Sequence, residues 1–205
     1  MKYIRKNKGS DVPCSIFHVP FRRGFTIVET MVAIAILLLS ITAPLTIAEK
    51  GLASAEAARH EITAFYLAQE GLEYVRNLRD TNALSGLGGG ANWLQDLNQC
   101  LTAGGCGIDT TEASPGQQIT GCNQNNDDCR LWQYTGNASS PLFGIFGHRT
   151  TSGWAPTNMT RKIHISDIQT SIEAKVEVTV TWVAGSLGAR TLTVKENIFN
   201  WYVSP

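Results

Sequence analysis

Arg22-Arg23-Gly24-Phe25-Thr26-Ile27-Val28-Glu29 opens an apolar run that continues as Thr30-Met31-Val32-Ala33-Ile34-Ala35-Ile36-Leu37-Leu38-Leu39 and ends at Ala48. Residues 25–48 carry a single charge, Glu29. A helix of that length reaches about 36 Å, enough to cross a hydrocarbon layer of about 30 Å. The run therefore reads as a membrane-spanning helix. Its flanks are Arg22-Arg23 on one side and Glu49-Lys50 on the other, which orients the amino end toward the cytoplasm.

The charge distribution agrees. Formal net charge over the 205 residues is zero, yet residues 1–24 hold six basic residues against Asp11, a balance of +5. The remainder holds 11 basic and 16 acidic residues, a balance of −5. A basic segment retained inside, with the rest of the chain exported, accounts for the split. With 43% hydrophobic residues and no polybasic surface, the composition is that of a folded protein, and no nucleic-acid partner is implied.

Glu29 is the anomaly in the run, because an ionised acid inside an apolar helix is costly unless it is paired or reaches the headgroups. Cutting the chain after Gly24 would expose the α-amine of Phe25 and supply a cation at the start of the same helix. Two other export signals touch these residues. Arg22-Arg23-Gly24-Phe25 approximates a twin-arginine pattern, and Thr46-Ile47-Ala48 is a poor small-x-small cleavage site. Neither explains Glu29, and the apolar run exceeds the core of an ordinary signal peptide.

A basic leader ending in Gly24, then Phe25-Thr26-Ile27-Val28-Glu29 and a long apolar helix, resembles the type IV pilin and pseudopilin superfamily. The one departure is Ile27, where Leu is commonest. The resemblance implies cleavage after Gly24 by a prepilin peptidase, N-methylation of Phe25, and engagement of Glu29 with the amino terminus of a neighbouring subunit. It implies partners too: the peptidase and methylase, other pilin subunits, and the inner membrane before assembly, with the head outside the cytoplasm and then on an extracellular filament. The expected protein is a structural subunit and not an enzyme. No cofactor is expected. It looks most like a minor pilin of the pilus-modification type, with a major subunit or a type II secretion pseudopilin still open. The alternative, from another functional class, is a membrane-tethered enzyme or ligand-binding protein active in residues 81–205.

Beyond Ala48 the helical pattern continues to about Asp80, with Ala58, Ile62, Phe65, Leu72 and Val75 forming an apolar stripe. Pro44 and Gly51 are expected to weaken the helix, Pro44 by kinking it. The expected division is a leader over 1–24, a long helix over 25–80 and a β-rich head over 81–205. Gly86-Leu87-Gly88-Gly89-Gly90 reads as a connection and not a phosphate loop, since no Gly-Lys-Ser/Thr follows. Trp93, Leu94 and Leu97 suit a short helix, and residues 100–156 suit loops and short strands.

The tail carries the clearest strand signal. Ile172, Ala174, Val176, Val178, Val180 and Trp182 alternate with polar residues, and Leu192 and Val194 do the same after a turn over 184–188. Further strands are expected at 162–165 and 198–203. The fold class is accordingly α+β, the long helix packing its apolar stripe on an antiparallel sheet.

Five cysteines are present, and removing the leader takes Cys14 with it. Cys100, Cys106, Cys122 and Cys129 can pair as two disulfides in three ways, of which Cys100–Cys106 with Cys122–Cys129 closes two compact loops. No C-x-x-C spacing supports a zinc site. The polar stretch 123–128 has calcium-loop composition without EF-hand spacing and reads as a polar turn. His60, His148 and His164 show no metal-ligating or catalytic spacing.

Overall fold

A computed structural model describes residues 24–86, 91–112, 118–122, 129–185 and 188–201. The chain divides into two compact units, Met1–Glu49 and Lys50–Pro205. One helix, α1 (Ile27–Leu84), contributes to both. It ends four residues beyond the expected boundary at Asp80, and neither Pro44 nor Gly51 terminates it.

In the first unit every described residue of α1 is exposed. The hydroxyls of Thr30, Ser40, Thr42 and Thr46 donate to the carbonyls of Ile27, Leu37, Leu39 and Ala43, three residues back. Each of these hydroxyls in the apolar stretch is thereby satisfied by its own helix, the only economical arrangement where water is excluded.

In the second unit the remainder of α1 is followed, among the described residues, by a 3₁₀ turn (Ala91–Leu94) and seven strands: β1 (Cys106–Ile108), β2 (Ile119–Gly121), β3 (Arg130–Tyr134), β4 (Phe146–Gly147), β5 (Trp154–Gln169), β6 (Glu173–Val183) and β7 (Ala189–Phe199). All seven join one antiparallel sheet. β5 is its spine. One edge pairs with β6, which pairs with β7; the other edge is shared between β3, near residues 154–160, and β1, at Ile163.

Alternation dictates the sheet's faces. Met159, Arg161, Ile163 and Ile165 of β5 are buried, as are Ala174, Val176, Val178, Val180 and Trp182 of β6. The opposite face carries Thr160, Lys162 and His164 beside Thr181, Thr179 and Glu177. The alternation expected over 172–182 is therefore present from Ala174 onward. Ser171, with φ of 66°, makes the turn into β6 and leaves Ile172 half-exposed. Of the separate strand expected at 198–203, Ile198 and Phe199 are the end of β7, in register with Ala174 and Glu173, and residues 202 and 203 lie outside the described residues.

The helix meets the sheet through a different stripe from the expected one. Ala64, Leu67, Ala68, Gly71, Leu72 and Val75 are buried, whereas Ala58, Ile62 and Phe65 are exposed. Leu72 and Val75 alone belong to both. Small residues decide this contact, because they let the helix backbone approach the strands. A Cβ at Gly71 would sit 3.0 Å from Ile163 Cδ1 and 3.4 Å from Val178 Cγ1. Gly71→Leu should accordingly lower the unfolding free energy by about 1–3 kcal/mol through overpacking. Gly51→Ala, at a position with nothing within 4 Å, should leave it unchanged or raised by up to about 1 kcal/mol. Urea midpoints of the two variants measure both effects.

Candidate processing and assembly site

Gly24 and Phe25 lead directly into α1, and Thr26 caps it. The Glu29 amide donates to Thr26 Oγ1 at 3.3 Å and the Thr30 amide to the Thr26 carbonyl at 3.1 Å. Thr26-Ile27-Val28-Glu29 has the spacing of a capping box, with a hydroxyl at the cap and an acid at the third helical position. This role of Thr26 escaped the sequence reading, although the Thr-x-x-Glu spacing carries it. Glu29 also lies in the first turn, where a negative charge complements the positive end of the helix dipole.

Nothing in the fold demands the residue types on either side of this start. A Cβ at Gly24 would meet no atom within 4 Å, and Gly24 is not among the glycines with positive φ. Phe25 is 78% exposed. Among the described residues, Glu29 has no cation within ion-pair distance. From Ile27 to Ile47 the apolar side chains are uncovered, and the helix is long and apolar enough to cross a membrane, with a mean hydropathy of 2.4 in its most apolar stretch.

The four cysteines lie in the second unit, where Cys100 is bridged to Cys106 and Cys122 to Cys129. The first bridge ties the segment after the 3₁₀ turn to the start of β1, beside β5, where the Ile165 amide donates to the Cys100 carbonyl at 2.9 Å. Gly105, with φ of +71°, makes the turn between them, and a Cβ there would lie 2.6 Å from the Ile163 carbonyl oxygen. The polar stretch 123–128, read as a turn with calcium-loop composition, lies outside the described residues.

Two buried polar centres stand out in the second unit. Arg161, on the buried face of β5 with a side chain 1% exposed, donates through Nη1 to Leu67 O at 3.1 Å and Glu70 Oε2 at 2.6 Å. Its Nη2 donates to Ile108 O at 2.5 Å. One guanidinium thus joins the helix, β1 and β5. Nearby, the Asp109 carboxylate accepts from the Thr111 amide and hydroxyl and from the His148 amide. These bonds hold its pKa below the usual carboxylate value against the opposing effect of burial. The His148 imidazole is pushed down to about 4, chiefly by burial and then by the Arg161 charge, with Asp109 opposing.

These centres tie the helix, β1 and β5 together, with the Glu70 carboxylate keeping partial access to water. Among the described residues no three His, Cys, Asp or Glu side chains are placed to share a metal. His60 lies on α1, 3.8 Å from Glu56, and His164 on the polar face of β5. A groove of about 410 Å³ is lined by Glu56, His60, Gln133, Phe146 and Asn158 among others. The Thr63 and Thr157 hydroxyls that also line it donate to the Arg59 and Leu131 carbonyls.

Comparison with known protein families finds a match at the amino-terminal end of the helix. The prokaryotic N-terminal methylation motif matches residues 20–43, which take in Gly24, Phe25 and Glu29. No curated protein and no solved structure matches the chain. The motif implies processing by a prepilin peptidase and pilin-type assembly, and its family is structural, not enzymatic. With that motif heading one long apolar helix, and an antiparallel sheet following it, the chain carries a type IV prepilin-like amino-terminal segment on a pilin-like arrangement of helix and sheet.

Proposed function

We propose that the protein is a minor subunit of a type IV pilus-like filament, cut after Gly24, N-methylated on Phe25, and assembled through its hydrophobic helix. Before assembly the helix spans the inner membrane with the second unit outside the cytoplasm. The observation that carries the reading is the Glu29 carboxylate, without a cation among the described residues and five residues past a glycine that the fold itself does not require. Cleavage at Gly24 creates an ammonium on Phe25, and methylation keeps its charge. In an apolar filament core that cation on one subunit and Glu29 on the next would pair. A subunit docked in the wrong register would bury a charge without a partner, so the pair favours one stagger.

A second feature supports assembly. In the second unit Ile62, Phe65 and Tyr66 are 58%, 48% and 65% exposed on a helix whose other side is committed to the sheet. The apolar surface left free there suits the helices of neighbouring subunits better than it suits water.

Mass analysis of the mature amino terminus tests the processing. N-methylated Phe25 is expected, and a chain beginning at Met1 or Glu49 in cells that possess the peptidase would refute it. Glu29→Ala should insert in the membrane as the parent does, and filament incorporation, measured on sheared filaments, should fall by more than about tenfold. Unchanged incorporation would remove the pairing from the account.

A further inference from the structure

The free edge of β7 is an unusual surface for a folded protein. β7 runs 11 residues, Ala189–Phe199, contains no proline, and stays in unbroken register with β6 over its full length. Among the described residues, no strand pairs with its other side. Exposed edges are ordinarily short, bulged, interrupted by proline or covered, because a long flat edge recruits another strand. The edge protections visible in β7 are its charges, Arg190, Lys195 and Glu196.

Those charges are arranged in a self-complementary order. Arg190, Leu192, Val194 and Glu196 lie opposite Trp182, Val180, Val178 and Val176 and so share the helix-covered face, while Thr191, Thr193 and Lys195 share the polar one. In an antiparallel pair of identical strands that keeps the two faces matched, the pairing must centre on a residue. Centred on Thr193, Arg190 meets Glu196, Leu192 meets Val194, Thr191 meets Lys195, and Ala189 meets Asn197. Both charges on the helix-covered face then oppose their complements, and both apolar residues oppose each other. One residue along, centred on Val194, Arg190 faces Ile198 and Leu192 faces Glu196. Centred on Lys195, that lysine faces itself; centred on Leu192, Arg190 faces Val194. Like charges, or charge against an apolar side chain, disfavour each of those registers.

From this pattern we infer that β7 is a docking edge for a second copy of the same chain, paired antiparallel about Thr193 over residues 189–197. Arg190 is available for the contact: it is exposed and makes no ion pair among the described residues. Glu196 accepts from Arg76 at both oxygens, from Nε to Oε1 at 2.9 Å and from Nη2 to Oε2 at 2.5 Å, and its side chain is 28% exposed, so Arg190 of the second copy would approach the remaining lone pairs from the solvent side. The two-fold axis stands perpendicular to the sheet and reverses the helical segment 50–84 of one copy relative to the other. Resting on the filament reading above, this makes the contact one between subunits of separate filaments and not between neighbours in the same one.

Cysteine cross-linking of the full chain in detergent tests the register. In a Cys14→Ser background, Thr193→Cys places a thiol on the two-fold axis, where directly opposed residues have Cα atoms about 4.5–5.5 Å apart, inside the Cα span of about 4.4–6.8 Å that a disulfide bridges. Oxidation should give covalent dimer at least about fivefold faster than for Thr191→Cys alone, which has Lys195 opposite. A mixture of Thr191→Cys and Lys195→Cys chains should cross-link to each other. Adding Arg190→Glu to Thr193→Cys should reduce the dimer to the control level. Equal dimer from Thr193→Cys and Thr191→Cys, or dimer insensitive to Arg190→Glu, would overturn the proposal, as would a strand from an unrelated protein being captured in its place. Failure here is separable from failure of the filament reading. Glu29→Ala should lower incorporation by more than about tenfold and leave the cross-link of the Thr193→Cys chain intact, whereas Arg190→Glu should leave incorporation unchanged and remove the cross-link.

Discussion

Replacing Arg161 by methionine should lower the unfolding free energy of the second unit by about 3 kcal/mol, the low end of the cost of severing a buried ion pair. The substitution removes both donors that satisfy Ile108 O and Leu67 O and leaves Glu70 without its cation. Glu70 retains access to water, its side chain being 34% exposed, which is why the larger figures for fully enclosed pairs do not apply. Methionine fills much of the same space, so the loss reports hydrogen bonding and charge more than cavity formation. Arg161→Lys should fall between the two, since a single ammonium can reach Glu70 but cannot span to the β1 carbonyl at the same time. Urea unfolding followed by tryptophan fluorescence measures the change; a shift in midpoint below that of an exposed Arg190→Met control would show that the three-way contact is dispensable.

Stability should also fall steeply in mild acid, and His148 should account for most of it. The unfolded imidazole titrates near its ordinary value of 6.5, while the folded one is held down to about 4. Between those values the unfolded chain binds a proton that the folded chain refuses, so stability is full above pH 6.5 and is lost as the pH falls toward 4. At about 1.36 kcal/mol per unit the loss amounts to about 3 kcal/mol. Asp109, whose folded pKa is lowered, adds a loss of the same sign that comes in as the pH falls through its folded value. His148→Gln should flatten the profile between pH 6.5 and about 4 while leaving the acid limb that belongs to Asp109. The two sites are coupled, because the Arg161 charge is one reason the imidazole resists protonation. Arg161→Met should therefore show a smaller acid loss than the parent, a deviation from additivity that a cycle of the single and double variants at about pH 7 and pH 4.5 resolves.

These expectations rest on residues the sequence did not distinguish, and the reason is instructive. The strand pattern over 174–182 is legible because every inward position is apolar, so a period of two survives inspection. In β5 the inward series is Met159, Arg161, Ile163, Ile165, and the arginine breaks the pattern. Only 162–165 therefore read as a strand, although the element runs 16 residues. His148 was equally anonymous. Its burial comes from β1, where a Cβ at Gly107 would lie 2.9 Å from the imidazole, and nothing local signals that approach.

What the sequence determined by itself is the part governed by local chemistry. An uninterrupted apolar run fixes a membrane-length helix, Thr26 and Glu29 fix where it starts, and strict alternation fixes the β6–β7 hairpin. These follow from periods and caps that neighbouring residues enforce on one another. Which side of α1 faces the sheet was decided only in three dimensions. The sequence favours the large side chains of Ile62 and Phe65, but close packing rewards the surface that lets two backbones approach. Ala64, Ala68 and Gly71 take the contact because they are small, and the bulkier residues are left outside.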